Sequence, residues 1–149
     1  MKRLSVLVFS VLFFWGVSVN AQEKKDNGEP TSFVAPSAVL SKIYTKEDLE
    51  KMGKLDLRSV YVEYFVIATE IIPYISLHTK PGATLKEMGI PETKANLEHL
   101  KKAVAAKRQY IEAVKVTLED VIPYSDTKNI IWSILYFQDM ITKAQQGEN

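Results

Sequence analysis

The side chains of this sequence that are best suited to chemistry are two histidines and two carboxylates. His78 and His99 have no carboxylate or second histidine three or four residues away, the spacing at which a helix presents two ligands to one metal. Glu63 and Glu70 are seven residues apart in a helical pattern, which separates their carboxylates by about 10 Å along the axis, near the upper limit for inverting glycoside hydrolysis. The solvated face of an amphipathic helix commonly carries carboxylates at this spacing, so the pair does not by itself indicate catalysis. From both observations we predict no metal, no cofactor and no enzymatic activity. An enzyme built on this chain would use Glu63, Glu70 and His78.

The motifs of common nucleophilic and phosphate-binding sites are absent from the sequence. It contains no cysteine, which excludes a thiolate nucleophile, a sulfur ligand for a metal and a disulfide bond. It also contains no Gly-x-Ser-x-Gly, no Gly-x-x-x-x-Gly-Lys and no His-Glu-x-x-His. The pattern favours a function in binding over one in catalysis.

The first 21 residues have the layout of a secretory signal peptide. Lys2 and Arg3 precede 16 uncharged residues, 4–19, and small or modest side chains at 19–21 suit a signal peptidase that cuts before Gln22. A membrane anchor is the alternative, but a spanning helix needs about 20 apolar residues and a strongly polar segment follows here. We therefore expect a periplasmic or secreted protein that is not inserted in the membrane after cleavage.

The mature chain has the size and charge of one weakly charged domain. Residues 22–149 carry 17 basic and 18 acidic side chains once Lys2 and Arg3 are removed. A nucleic-acid-binding protein should carry a basic excess on one face, and attachment to anionic lipids needs a basic cluster. We therefore predict no nucleic-acid partner.

Polar residues with Gly and Pro fill residues 22–37, which predicts a flexible lead-in. Residues 38–52 then suit a short helical segment, in which Thr45 and Asp48 form a capping box. Apolar residues recur every three or four positions over 55–72, which predicts a helix, although the alternation over 60–66 also suits a strand.

A connection over 76–92 contains its own capped turn, in which Thr84 pairs with Glu87 and Gly89 takes the left-handed position. The strongest pattern follows over 92–122, a helical stripe that only Lys107 interrupts with a charge. Ser125 or Asp126 then caps a last helix.

These elements predict an all-α fold, a small helical bundle of three long helices plus a short N-terminal helical segment. The single domain spans residues 38–144, and 145–149 form a frayed tail. The short turn at 123–126 predicts that the last two helices pack antiparallel.

A weak internal similarity links the ends of two of the predicted helices. Residues 70–74 read Glu-Ile-Ile-Pro-Tyr and residues 120–124 read Asp-Val-Ile-Pro-Tyr. Each copy predicts an apolar last turn, a proline that ends the helix and a tyrosine that packs back on it. An ancient duplication and a coincidence both explain the similarity.

Two binding functions are compatible with these patterns. The first is an interaction module that binds a protein partner or self-associates through Trp132, Tyr136 and Met140, helped by the loop at His78. The second is a small-ligand carrier with a pocket between helices. Its lining would be formed by Tyr61, Tyr64 and Tyr110.

Overall fold

The computed structural model of the protein describes residues 29–77 and 80–147. These residues form four α-helices and two 3₁₀ turns, and they contain one isolated antiparallel bridge and no strand. The helices are α1 (Lys46–Glu50), α2 (Lys54–Ile71), α3 (Lys94–Val121) and α4 (Thr127–Gln146). The predicted all-α fold of three long helices with a short N-terminal helix is confirmed, and the ambiguous stretch over 60–66 is helical. The predicted signal peptide lies outside the described residues.

Side-chain caps fix where α1, α3 and α4 begin. Thr45 and Asp48 form the predicted capping box of α1, and the Asp126 carboxylate accepts the Lys128 N–H at 2.7 Å to cap α4. Gly53 separates α1 from α2, but it precedes α2 as its N-cap in extended backbone rather than ending α1 in a left-handed conformation. A capped start satisfies N–H groups that have no partner within the helix.

Prolines end α2 and α3 in the same way. Each helix runs into a 3₁₀ turn, Ile72–Tyr74 or Ile122–Tyr124, with the proline in its first positions. The two tyrosines differ, however, because Tyr74 is half-buried and packs on Phe33 at 5.0 Å between ring centroids, whereas Tyr124 is 91% exposed. The similarity therefore extends to the backbone but not to the packing of the tyrosine.

The three long helices form one layer with α2 in the middle. Both α3 and α4 pack on α2 more extensively than on each other. Arg58 near the start of α2 donates to the Glu119 carbonyl at the end of α3, and Glu70 near the end of α2 pairs with Lys107. Thus α2 and α3 are antiparallel. The start of α2 packs on the start of α4 and the ends of the two helices pack together, so α4 runs parallel to α2. The last two helices are therefore antiparallel as predicted, but both pack on α2 rather than along each other.

The core divides into three apolar clusters that link these elements. The first joins α1, α2 and α4, the second joins the N-terminal segment to α2 and α4, and the third joins that segment to the connection and α3. The largest fully buried side chains are Tyr64, Leu49, Leu57, Ile71, Leu85, Leu100, Ile130, Ile134, Ile141 and Val34.

The N-terminal segment, residues 29–45, belongs to the fold. Phe33 and Val34 are buried, and the Gln145 side chain donates to the Ala38 carbonyl at 2.9 Å. The prediction of a flexible lead-in is therefore wrong for residues 32–37, because buried apolar side chains and hydrogen bonds to the helices hold this part of the segment in place. The domain begins before residue 38, and α4 continues through Gln146 into the predicted tail.

Candidate functional site

The N-terminal segment covers one side of the helical layer. Its backbone hydrogen-bonds to Glu70 of α2 and to Gln138 of α4. At 100° per residue, Phe65 lies about 140° around α2 from Glu70, and Tyr136 lies about 160° around α4 from Gln138. Phe65 and Tyr136 therefore point to the side of the layer that this segment does not cover.

Five aromatic rings lie on that second side, and each ring contacts at least one other ring of the group. We call them the aromatic face: Tyr61, Phe65, Trp132, Tyr136 and Phe137. Trp132 and Tyr136 stack at 5.4 Å with an interplanar angle of 15°, and Tyr136 lies 6.4 Å from Phe137. Phe137 in turn contacts Tyr61 at 5.6 Å and Phe65 at 6.4 Å. The stacked pair is the most accessible part, since Trp132 is 65% exposed and Tyr136 53% exposed.

A shallow cavity of about 870 Å³ continues the aromatic face towards the C-terminal end of α4. Its apolar lining includes Ile75, Leu77, Tyr136 and Met140. An ion pair between Asp139 and Lys143, 2.7 Å apart, borders it and carries no net charge. The three predicted binding residues of α4, Trp132, Tyr136 and Met140, thus belong to one continuous surface.

The three tyrosines predicted to line a pocket are not brought together. Tyr64 is fully buried and donates from its hydroxyl to the Lys42 carbonyl and to Gln138, and burial raises its pKa above the ordinary value. Tyr61 belongs to the aromatic face, where burial also raises its pKa. Neither of the two cavities described here is lined by Tyr61, Tyr64 or Tyr110.

Tyr110 lies on α3, apart from Tyr61 and Tyr64 on α2. It is 54% exposed and lies about 180° around the helix from Lys101, whose amine holds Glu29 of the N-terminal segment at 2.6 Å. Tyr110 therefore faces the same side of the layer as the aromatic face, although it makes no ring contact with it.

Glu70, one of the residues that an enzyme would use, joins α2 to α3 and to the N-terminal segment. Glu70 accepts the Ala35 N–H at 3.0 Å and pairs with Lys107, whose amine also donates to the Phe33 carbonyl. The same amine lies 5.2 Å from the centroid of the Tyr74 ring. Lys107 interrupts the apolar stripe of α3 because it reaches these acceptors, and burial together with Glu70 raises the pKa of Tyr74.

The other two residues that an enzyme would use are Glu63 and His78. Glu63 is half-exposed on α2, and His78 lies outside the described residues. Among residues 29–77 and 80–147, no three His, Asp or Glu side chains are close enough to hold a metal ion. In the same part of the chain, no helix has both the length and the apolar composition to span a bilayer.

A second cavity, of about 480 Å³, lies on the side of the layer that carries the N-terminal segment. Its lining is formed by Phe33, Pro73, Tyr74, Leu77, Leu85, Ile90, Asn96, His99 and Ala103. Sequence reasoning missed this cavity because its walls come from four separate segments. One feature of the sequence could have indicated that the lead-in packs on the helices: Phe33 and Val34 are the only large apolar residues in an otherwise polar segment.

No family model, no curated protein and no solved structure matches this chain.

Proposed function

We propose that this protein is an exported, non-catalytic helical module that binds a polypeptide, either a partner protein or a second copy of itself, through the aromatic face. The observation that carries the proposal is the stacked pair Trp132 and Tyr136, which is exposed and continuous with three further rings. Soluble proteins rarely leave such an apolar surface uncovered without a binding role, and Trp and Tyr dominate the energetics of interfaces. The N-terminal 21 residues support export.

The shape of the aromatic face favours a polypeptide over a small molecule. The rings form a ridge across α2 and α4, with Trp132 and Tyr136 exposed at its edge rather than enclosed in a cleft. A helical layer commonly buries its second side against another layer, and an amphipathic helix is the simplest form of one. The shallow cavity at Met140 would accept an anchoring side chain from that partner.

The charges around the surface favour apolar association. The charged residues that line the shallow cavity are the Asp139–Lys143 pair, which is neutral as a unit, and Lys80. The predicted mature chain carries nearly balanced charge. Binding driven by apolar burial should depend only weakly on salt, because screening acts on separated exposed charges.

The test is native mass spectrometry of the protein recovered from its own exported compartment. The wild type should appear as a dimer or as a stoichiometric complex with another polypeptide. Trp132→Ser combined with Tyr136→Ser should reduce that species at least tenfold, because it removes the exposed rings and leaves the buried side of α4 intact. Tyr124→Ser is the matched control, since Tyr124 is 91% exposed but lies at the turn after α3.

A bare monomer in every sample would contradict the proposal. A complex that survives the double substitution, or that Tyr124→Ser also abolishes, would contradict the assignment to the aromatic face. Circular dichroism of both variants checks that the helices are retained.

A further inference from the structure

The cavity beside His99 is built partly from side chains of the core. Leu85 and Phe33 are 1% and 6% exposed, so two of its sides belong to the core. The connection that supplies Leu85 and Ile90 is fixed by the Ile90 N–H, which donates to the Leu85 carbonyl at 2.8 Å, and by Gly89 with φ at +72°. Phe33 is held by the bond from Lys107 to its carbonyl.

The lining is aromatic and apolar, and its polar groups are the side chains of Asn96 and His99 and the hydroxyl of Tyr74. Phe33 contacts Tyr74 and also His99, whose ring centroid lies 6.3 Å from its own at an interplanar angle of 63°. The Asn96 amide nitrogen donates to the Pro91 carbonyl at 2.7 Å, which orients the Asn96 side chain. His99 is exposed and retains ring nitrogens that can donate or accept at the edge of the cavity.

We infer that this cavity is a binding site for a small aromatic molecule that carries one hydroxyl or similar group, with the rings packed on Phe33 and Tyr74 and the polar group hydrogen-bonded to His99. A volume of about 480 Å³ lies within the range of small-molecule sites, and such sites combine apolar walls with a few placed polar groups. The inference does not depend on the proposed function, because the cavity shares no residue with the aromatic face and only Leu77 with the shallow cavity at Met140.

The first experiment titrates the mature chain with 2-naphthol and follows methyl resonances by NMR. Saturable shifts should centre on the methyl groups of Leu85, Ile90 and Ala103. Shifts confined to the aromatic face, or shifts that do not saturate, would overturn the inference.

A pair of matched substitutions on α3 tests the position of the site. Ala103→Leu places three added carbons in the cavity and should weaken 2-naphthol binding at least tenfold. Ala106→Leu makes the same change at an exposed position three residues further on and should leave the affinity unchanged. Equal affinity of both variants for 2-naphthol would overturn the inference, with circular dichroism confirming that each remains helical.

The hydrogen bond to His99 is tested by comparing 2-naphthol with naphthalene, which lacks the hydroxyl. His99→Leu should weaken the binding of 2-naphthol several-fold and leave that of naphthalene within about twofold. A His99→Leu variant that binds 2-naphthol as tightly as the wild type would overturn the assigned contact.

Discussion

Lys107 of α3 and Glu70 of α2 form an ion pair whose side chains are only 9% and 13% exposed. The pair does more than join two helices, because Glu70 also accepts the Ala35 N–H and Lys107 also donates to the Phe33 carbonyl. The N-terminal segment is thus fastened to the layer by one connected group of polar contacts. Removing either charge leaves the other largely buried and without its oppositely charged partner.

Lys107→Met should lower the free energy of unfolding by about 3 kcal/mol, since breaking a buried pair leaves an uncompensated charge. Urea denaturation measures the change. The Lys107→Met/Glu70→Gln double variant should recover part of the loss, which a double-mutant cycle would report as coupling.

The control for this prediction is Lys115→Met on the same helix. Lys115 is more exposed and lies 3.9 Å from Glu112, so its loss should cost less than about 0.5 kcal/mol. Equal effects of the two lysine substitutions would contradict the structural role assigned to Lys107.

Tyr64→Phe should destabilise the fold by about 1 kcal/mol at pH 7, because the Lys42 carbonyl loses its donor. Burial raises the pKa of Tyr64 in the folded state, so its phenol stays neutral while the unfolded chain ionises above about pH 10. The stability that this group contributes is therefore complete below pH 10 and is lost as the pH rises further.

The measurement is urea denaturation of the wild type and Tyr64→Phe between pH 8 and 11. The difference in unfolding free energy should shrink towards the alkaline end, because the phenylalanine has no proton to lose. A difference that is constant or grows with pH would contradict the burial of the neutral phenol.

Helix α3 should be the least stable of the long helices towards local opening. Over 28 residues it buries only Leu100 and Ile111, and it packs chiefly on α2. Local opening is easier where few apolar contacts hold an element. Hydrogen exchange should therefore be roughly tenfold faster for the amides of α3 than for those of α2. Equal protection of the two helices would show that α3 opens only with the whole domain.

Thr93→Ala should cost about 1 kcal/mol, because the Thr93 hydroxyl accepts the Asn96 N–H at the start of α3. Thr117→Ala removes an exposed hydroxyl in the last two turns of the same helix, away from its N-terminus, and should be neutral or slightly stabilising, since alanine is the better helix former. Thermal unfolding of the two variants distinguishes capping from a general effect of threonine. A Thr93→Ala variant as stable as the wild type would contradict the cap.

Local rules were sufficient to predict most elements of this fold. Capping boxes at Thr45 and Thr84, the cap at Asp126 and the left-handed Gly89 each depend on residues within four positions, and all are present. The helical period over α2 also outweighed its β-branched alternation, because a helix there buries seven side chains on its packed faces.

Long-range contacts explain what the sequence did not predict. The docking of Phe33 and Val34 depends on Glu70, Lys107 and apolar surface far away in the chain, which no local pattern reports. The cavity at His99 was not predicted for the same reason, because its walls come from segments that are far apart in the chain. Tyr64 was predicted to line a pocket because periodicity identifies a face but not which neighbour covers it.

The most direct measurement is photo-crosslinking in the exporting cell, with p-benzoylphenylalanine introduced in place of Trp132 or, as the control, of Tyr124. If the aromatic face binds a polypeptide, position 132 should give a covalent adduct to one defined polypeptide, a partner or a second copy of this chain, and position 124 should not. No adduct from position 132, or the same adducts from both positions, would contradict the central claim.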